Sequence, residues 1–422
     1  MGNTSVPQQP SRRRFLATAS GLVAVGAVPA AARGENAQNL PPNIADWTKT
    51  LGEGVVSRPY GTPSAFEKHV VRRDVEWLTA SRESSVSFTP LHDLDGIITP
   101  NGLCFERHHS GVAEIDPRDY RLMLHGLVER PLVFTLDDLK RFPRVNRVHF
   151  LECAANSGME WRGAQLNGCQ YTHGMVHCVE YTGVPLRYLL DEAGVKPAAK
   201  WVLAEGGDAA AMTRSIPLSK ILDDCLVAYR MNGEMLRPEN GYPARLVVPG
   251  WEGNMWVKWL RRLKVGDEPW ETREETSKYT DLMADGKARR HTFVMDAKSV
   301  ITSPSPQAPL KGKGFAVISG LAWSGRGKVR RVDVSLDGGR NWREAKIDGL
   351  VLDKACVRFY AEVDWSGEPM LLQSRAIDDT GYAQPTKAAL RKVRGFNSIY
   401  HNNGIQTYSV RPDGEVENVE VS

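Results

Sequence analysis

The pattern of turns and apolar residues changes near Ser299, and this change divides the chain. Residues 301–309 are rich in proline and serine, as at a linker or a domain entry. After them come short alternating strands, for example residues 329–336 and 342–347, which flank a glycine turn at 337–339. Several such strands in about 100 residues are typical of an immunoglobulin-like sandwich. The sequence therefore predicts an all-β second domain.

Before Ser299 the sequence contains both strand-like and helix-like segments. Residues 120–127, 147–153 and 244–249 have strand character, whereas residues 135–141 and 186–193 have the periodicity of helices. Strands and helices do not alternate regularly, so the sequence predicts an α+β domain rather than a parallel α/β fold.

The 422-residue chain is too long for one ordinary core, so two domains are the default expectation. We predict four segments in order. They are a targeting segment at 1–32, an N-terminal extension at 33–95, a catalytic domain at 96–295 and the sandwich at 296–422.

The N-terminus has the pattern of a twin-arginine signal. Residues 11–16 read SRRRFL, an apolar stretch extends to residue 28, and residues 30–32 are alanines suited to a signal peptidase. The stretch is shorter than the ~20 residues of a membrane span, although an uncleaved anchor is the alternative. We expect export to the periplasm and no membrane span in the mature chain.

Charge and cysteine content exclude some function classes. Without the signal the chain has 51 basic and 50 acidic residues and no basic run, so nucleic-acid binding is not expected. The six cysteines are irregularly spaced, and their disulfide state is left open. No Cys-x-x-Cys-His motif is present, so we expect no covalently attached haem in this chain.

Residues 150–161, FLECAANSGMEW, form the sharpest local feature. An apolar strand leads to Cys153, and small residues that allow a bulky group to approach follow it. A thiolate is a soft ligand suited to a redox metal. The alternative is a buried cysteine that only packs in the core.

Basic residues elsewhere lie in apolar, glycine-flanked segments. Arg107 belongs to FERHH at 105–109, Arg245 begins the apolar run 245–248, and Lys258 lies among aromatic residues. A buried cation needs an anionic partner. A phosphate-bearing cofactor or an oxyanion substrate would supply one.

These segments together resemble the sulfite oxidase family, whose members bind a pyranopterin molybdenum cofactor. The family's motifs appear in order, as Arg-x-His at 107–109, Cys-Ala-x-Asn at 153–156, Ser-Ile-Pro at 215–217, Met-Asn-Gly at 231–233, PARLVVPG at 243–250 and VKWL at 257–260. The sandwich is similar to the family's dimerisation domain. The resemblance implies a molybdopterin-binding domain followed by that domain, with Mo-molybdopterin as cofactor and a homodimer.

The resemblance also implies site roles. Cys153 corresponds to the molybdenum ligand, and Arg107 and Tyr279 correspond to groups that stabilise the product oxyanion. Tyr279 stands 21 residues after Lys258, the family spacing, and an ordinary loop tyrosine is the alternative. The positions that the resemblance assigns to cofactor binding are Phe105, Arg107, His109, Asp208, Asn240, Arg245, Trp256, Val257 and Lys258.

Three departures bear on the substrate. Ser157 and Gly158 stand where sulfite-oxidising members carry an arginine clamp. Asn240 replaces a histidine that contacts the pterin, and Lys278 replaces an acidic residue. Residues 152–161 are similar to the Sox sulfane dehydrogenase subgroup, whose substrate is a sulfane sulfur on a carrier protein.

We therefore expect oxidation of carrier-bound sulfane sulfur by oxo transfer, with electrons passed to a c-type cytochrome subunit in a hetero-oligomer. The first alternative is a sulfite dehydrogenase that acts on free sulfite. A periplasmic reductase of the same superfamily fits poorly because of the sandwich domain. A non-catalytic adhesion protein is the alternative from another class.

Overall fold

The computed structural model describes residues 45–49, 51, 54, 55, 57 and 60–421. The predicted twin-arginine signal lies outside these residues. The chain forms two compact units that meet in sequence after Thr62. The described part of the first contains a 3-10 helix, Asp46–Lys49. All elements below belong to the second, Pro63–Ser422.

In this second unit, fifteen strands lie between Pro63 and residue 290. They are β1 Arg73–Asp74, β2 Val86–Phe88, β3 Glu106–Arg107, β4 Leu122–Gly126, β5 Leu132–Phe134, β6 Val145–Glu152, β7 Val176–Pro185, β8 Trp201–Gly206, β9 Thr213–Pro217, β10 Leu226–Met231, β11 Glu234–Met235, β12 Arg245–Val247, β13 Leu260–Gly266, β14 Asp281–Leu282 and β15 Ala288–Arg289.

The helices of this unit are short. The α-helices are α1 Leu136–Arg141, α2 Cys169–His173, α3 Leu186–Ala193, α4 Leu218–Asp223, α5 Arg273–Thr276 and α6 Lys387–Arg394. The 3-10 helices are Ala65–Glu67, Glu76–Leu78, Leu91–Asp93, Asn101–Leu103, Gly158–Arg162, Pro238–Asn240 and Gly253–Met255. No helix among the described residues is long and apolar enough to cross a membrane.

Two five-stranded sheets dominate the first part of this unit. One has the order β11-β10-β7-β6, with β12 also paired to β10. The other has the order β5-β4-β13-β8-β9, in which β13 and β4 run parallel. A three-stranded sheet, β1-β2-β3, carries Arg107 on its last strand. This mixture of antiparallel sheets, one parallel pair and short helices is the predicted α+β fold.

Local sequence signals account for several elements. The Thr135 hydroxyl accepts a hydrogen bond from the Asp138 backbone and the Asp138 carboxylate accepts one from the Thr135 backbone, so a capping box starts α1. Gly194, with φ 71°, ends α3 in the left-handed conformation that glycine adopts without strain. The strands predicted at 120–127, 147–153 and 244–249 are found as β4, β6 and β12. β4 and β12 are shorter at both ends, whereas β6 begins two residues earlier and ends one residue earlier than predicted.

The second part is a sandwich of two antiparallel sheets. Its strands are β16 Lys298–Ser303, β17 Gly314–Trp323, β18 Val329–Ser335, β19 Arg343–Glu344, β20 Lys346–Asp348, β21 Val357–Trp365, β22 Met370–Asp378, β23 Thr407–Val410 and β24 Val416–Val419. One sheet has the order β16-β17-β21-β20 and the other β19-β18-β22-β23-β24. Inward-facing residues such as Ile318, Val332, Phe359, Leu372 and Tyr408 form their common core.

The predicted hairpin at 329–347 is only half correct. β18 does pair with β19, so the turn at 337–339 is real. The returning strand then breaks at Ala345, and β20 pairs with β21 in the opposite sheet. Ala345 is buried at the point where the chain crosses from one sheet to the other.

A third apolar cluster joins the two parts. Phe150 and Cys178, from β6 and β7, pack with Trp323, Leu321 and other residues of the sandwich. The strand that leads to Cys153 is therefore supported on one side by the sandwich.

Candidate active site

All eleven side chains that the sequence analysis assigned to the site line one cavity. They are Phe105, Arg107, His109, Cys153, Asp208, Asn240, Arg245, Trp256, Val257, Lys258 and Tyr279. They come from separate segments of the first part, so the fold brings together positions up to about 170 residues apart in sequence.

Cys153 reaches the cavity from the end of β6. Its backbone N–H donates to Met175 O over 3.0 Å, and Asn156 N–H donates back to Cys153 O over 2.9 Å, which closes a tight turn. Gly253 approaches this turn so closely that a Cβ there would lie 2.7 Å from Glu152 O. Any other residue at 253 would therefore force this turn or the Gly253 backbone to shift.

Burial controls the chemistry of this thiol. Cys153 is 8% exposed, and the loss of solvation raises the pKa of its thiol. A hydrogen bond from Ala155 and the positive charge of Arg107 oppose that rise in pKa. Metals bind the thiolate form of cysteine, so a metal held by Cys153 would favour loss of the thiol proton.

Arg107, His109 and Tyr279 form one wall. His109 Nε2 lies 3.1 Å from the Tyr279 hydroxyl. Burial, with the nearby charge of Arg107, lowers the pKa of His109 to about 4, and burial raises that of Tyr279. At neutral pH the imidazole is therefore uncharged and the phenol keeps its proton. The wall offers one guanidinium and one hydroxyl donor to an oxyanion.

Lys258 is held in place by hydrogen bonds to the protein. Its ammonium group donates to Arg107 O at 3.2 Å, Glu239 O at 3.1 Å and His108 Nδ1 at 2.8 Å. Burial lowers the pKa of Lys258 to about 7, and Arg245 nearby acts in the same direction. A bound anion would favour its charged form.

Arg245 is a buried cation that forms no ion pair among the described residues. It is 3% exposed and donates only to two carbonyl groups, Asn240 O at 3.0 Å and Trp256 O at 2.9 Å. Its Nε, the Asn240 Oδ1 and the His177 Nδ1 are buried without a hydrogen-bond partner. Buried polar atoms normally have hydrogen-bond partners. These three unpaired atoms and the buried charge of Arg245 would be satisfied by a large polar ligand with an anionic end. The residues present therefore suit a phosphate-bearing pterin.

The cavity also contains residues that the sequence analysis missed. Leu151, Met212, Gly253, Asn254 and Trp259 line it, as do His108, His177 and Glu239. His177 is the second residue of β7, and a single histidine in an apolar strand gives no functional signal by itself. His108 and Trp259 were hidden inside quoted motifs, and their proximity to Lys258 is visible only in three dimensions.

Ser157 and Gly158 contribute nothing cationic to this site, and neither belongs to its lining. Ser157 is buried with φ 64°, and its hydroxyl donates to Thr172 O over 2.7 Å, inside the protein. A Cβ on Gly158 would lie 2.5 Å from Ile399 O. The remaining cations of the lining are Arg107, Arg245 and Lys258.

Comparison with known proteins agrees with this geometry. Residues 109–274 match the oxidoreductase molybdopterin binding domain, and residues 289–408 match the Mo-co oxidoreductase dimerisation domain. Human mitochondrial sulfite oxidase is 35% identical over 81% of this chain and 68% of its own length. The mouse enzyme is 32% identical over 74% of this chain, and the chain spans only 62% of its length.

Among solved structures, the sulfane dehydrogenase SoxCD from Paracoccus pantotrophus is similar at a TM-score of 0.89 and 64% identity. The match covers 90% of this chain and 98% of that one. Because both domains match and human sulfite oxidase is 35% identical over 68% of its length, the chain belongs to the sulfite oxidase family of molybdopterin oxidoreductases.

Proposed function

We propose that this protein oxidises a sulfane sulfur held on a carrier protein and passes the electrons to a c-type cytochrome subunit. The observation that carries the proposal is the 64% identity to a sulfane dehydrogenase along 98% of that chain. The inward-turned Ser157 supports it, because the position offers no clamp for a small free anion.

Cys153 would hold the molybdenum, and Arg245 and Lys258 would hold the anionic end of the pterin. Bound there, the cofactor supplies the two-electron redox chemistry that sulfur oxidation needs. Each oxygen atom that the sulfur gains comes from water, with release of two protons to solvent and two electrons to the acceptor. This balance makes an electron acceptor obligatory.

Arg107 and Tyr279 act on the substrate side. The guanidinium of Arg107 would attract the sulfur anion and stabilise negative charge that builds up on its oxygens. The Tyr279 phenol, protonated at neutral pH, would donate a hydrogen bond to the same oxygens. His109, 3.1 Å from the phenol, would fix its direction.

The matched dimerisation domain supports a homodimer of this chain, and the likeness to a SoxCD structure supports a second subunit type. The twin-arginine pattern supports the periplasm, where such a complex would meet c-type cytochromes and an exported carrier. Cysteine-borne persulfide on a small carrier protein is the substrate class that we assign.

Kinetics separate this function from oxidation of free sulfite. The purified complex is offered either sulfite alone or a carrier protein loaded with cysteine persulfide, and cytochrome c reduction is followed. We expect kcat/KM for the loaded carrier to exceed that for sulfite by at least about 100-fold, the discrimination that about 3 kcal/mol of differential binding gives. Equal or better use of free sulfite would reject the sulfane assignment in favour of a sulfite dehydrogenase.

A further inference from the structure

The turn that carries Cys153 is held by side chains from the other domain. Lys298, the first residue of β16, donates from Nζ to Glu152 Oε1 over 2.8 Å and to Asn156 O over 3.2 Å. Trp323, the last residue of β17, donates from Nε1 to Glu152 Oε2 over 2.7 Å. The Asn156 amide completes the set with a bond of 2.9 Å to Glu152 Oε1. Both oxygens of Glu152 are thus fixed.

The ion pair is fully enclosed. The side chains of Lys298 and Glu152 are 2% and 0% exposed. In such surroundings screening by solvent is weak, so the charge of each partner acts strongly on its neighbours. The residue that follows Glu152 in the chain is Cys153.

Two further hydrogen bonds from the C-terminal part of the chain hold the same turn. His401 N–H donates to Ala154 O over 2.8 Å, and Asn402 Nδ2 donates to Ser157 O over 3.0 Å. Glu152, Ala154, Asn156 and Ser157 of this turn are therefore each bonded to residues beyond 297, outside the domain that forms the cavity.

We propose that Lys298 is a positioning residue for Cys153. It balances the buried charge of Glu152 and fixes the thiolate's direction, so the sandwich domain tunes the redox centre as well as pairing subunits. The inference rests on the proposed molybdenum ligation by Cys153. Partners of metal ligands of this kind typically change activity or metal affinity by about 10- to 100-fold when removed.

The test compares Lys298→Met with wild type in the full complex. The readouts are molybdenum content, the Mo(V) EPR spectrum and the midpoint potential of the Mo(VI)/Mo(V) couple. We expect an altered EPR spectrum and a lower potential, because the unbalanced negative charge of Glu152 favours the more positive metal. Per bound molybdenum, kcat should fall about 10-fold or more. The double variant Glu152→Gln/Lys298→Met, neutral at both positions, should return the potential towards wild type.

Lys354→Met is the matched control. Lys354 also belongs to the sandwich and pairs across the domain boundary, with Asp224 at 2.8 Å, but it does not touch the Cys153 turn. It should lower the melting temperature and leave the EPR spectrum and potential unchanged. If Lys298→Met does not fold, Trp323→Phe, which keeps the ion pair and removes one bond to Glu152, should still change the EPR spectrum.

If Lys298 has a purely structural role, Lys298→Met and Lys354→Met should behave alike. Both would be less stable, but the molybdenum-loaded fraction of each would keep the wild-type EPR spectrum and midpoint potential. That outcome overturns the inference. It is distinct from failure of the proposed function, which would show as wild-type protein without molybdenum or with preference for free sulfite.

Discussion

The hydroxyl of Tyr279 lies 3.1 Å from Nε2 of His109, although the two residues are 170 positions apart. The Tyr279 ring also packs on Tyr400, with ring centres 5.0 Å apart, and its backbone has a φ of 53°. A non-glycine residue in that conformation is held by its surroundings. The phenol is therefore directed by both domains towards the same wall of the cavity.

Tyr279→Phe removes the hydroxyl and keeps the ring packing. We expect kcat to fall about 100-fold, the usual loss of one donor to a developing oxyanion, with little change in molybdenum content. Steady-state kinetics and metal analysis measure this. A variant with normal kcat would mean that Tyr279 is an ordinary loop residue.

Arg245→Met should have opposite effects on the loaded and unloaded protein. In the cofactor-bound protein the loss of a charge-assisted bond should lower cofactor retention by about 10- to 100-fold. In cofactor-free protein the variant should melt at a higher temperature than wild type, because an unpaired buried cation is replaced by an apolar side chain. A cofactor-free variant that melts lower would contradict the assignment of Arg245 to an anion.

Ser157→Arg should fail to create a sulfite clamp. The position is buried with φ 64°, so the guanidinium has no path to the cavity, and we expect a loss of about 2–4 kcal/mol in unfolding free energy. Ser157→Ala, the control, should cost only about 1 kcal/mol for its bond to Thr172 O. Sulfite turnover that rises in Ser157→Arg would show that the backbone of this segment differs in the active protein.

His149 should make the protein sensitive to acid. Burial lowers its pKa from 6.5 to about 4, so the unfolded chain takes up the proton first as the pH falls. The contribution of His149 to the unfolding free energy is complete well above pH 6.5 and is lost progressively towards pH 4, by about 1.6 kcal/mol between pH 6.5 and 5. Denaturant titrations of His149→Gln should show that much less change over the same interval. An identical pH dependence in both proteins would exclude His149 as the cause.

The sequence predicted much of the site because its chemistry lies in contiguous motifs. Residues 105–109, 153–156 and 257–260 each place their polar groups next to residues that fix the local backbone. Ordinary periodicity likewise predicted α3 and β6. These local signals contain no information about contacts between segments that are distant in sequence.

The missed features are of that kind. β2, only three residues long, has no measurable periodicity, yet it pairs with β3 and holds Arg107 in place. The split between β19 and β20 depends on the twist of two sheets. In the sequence, Lys298 looks like an ordinary lysine in a strand. Only the three-dimensional structure shows that it forms an ion pair with Glu152.

X-ray absorption at the molybdenum edge tests the central claim most directly, since it counts the sulfur atoms bound to the metal. Wild type and Cys153→Ser are compared, with Cys225→Ser, a buried cysteine outside the cavity lining, as control. We predict one sulfur neighbour fewer in Cys153→Ser than in wild type and in the control, together with loss of cytochrome c reduction. Equal sulfur counts in all three proteins would contradict ligation of molybdenum by Cys153.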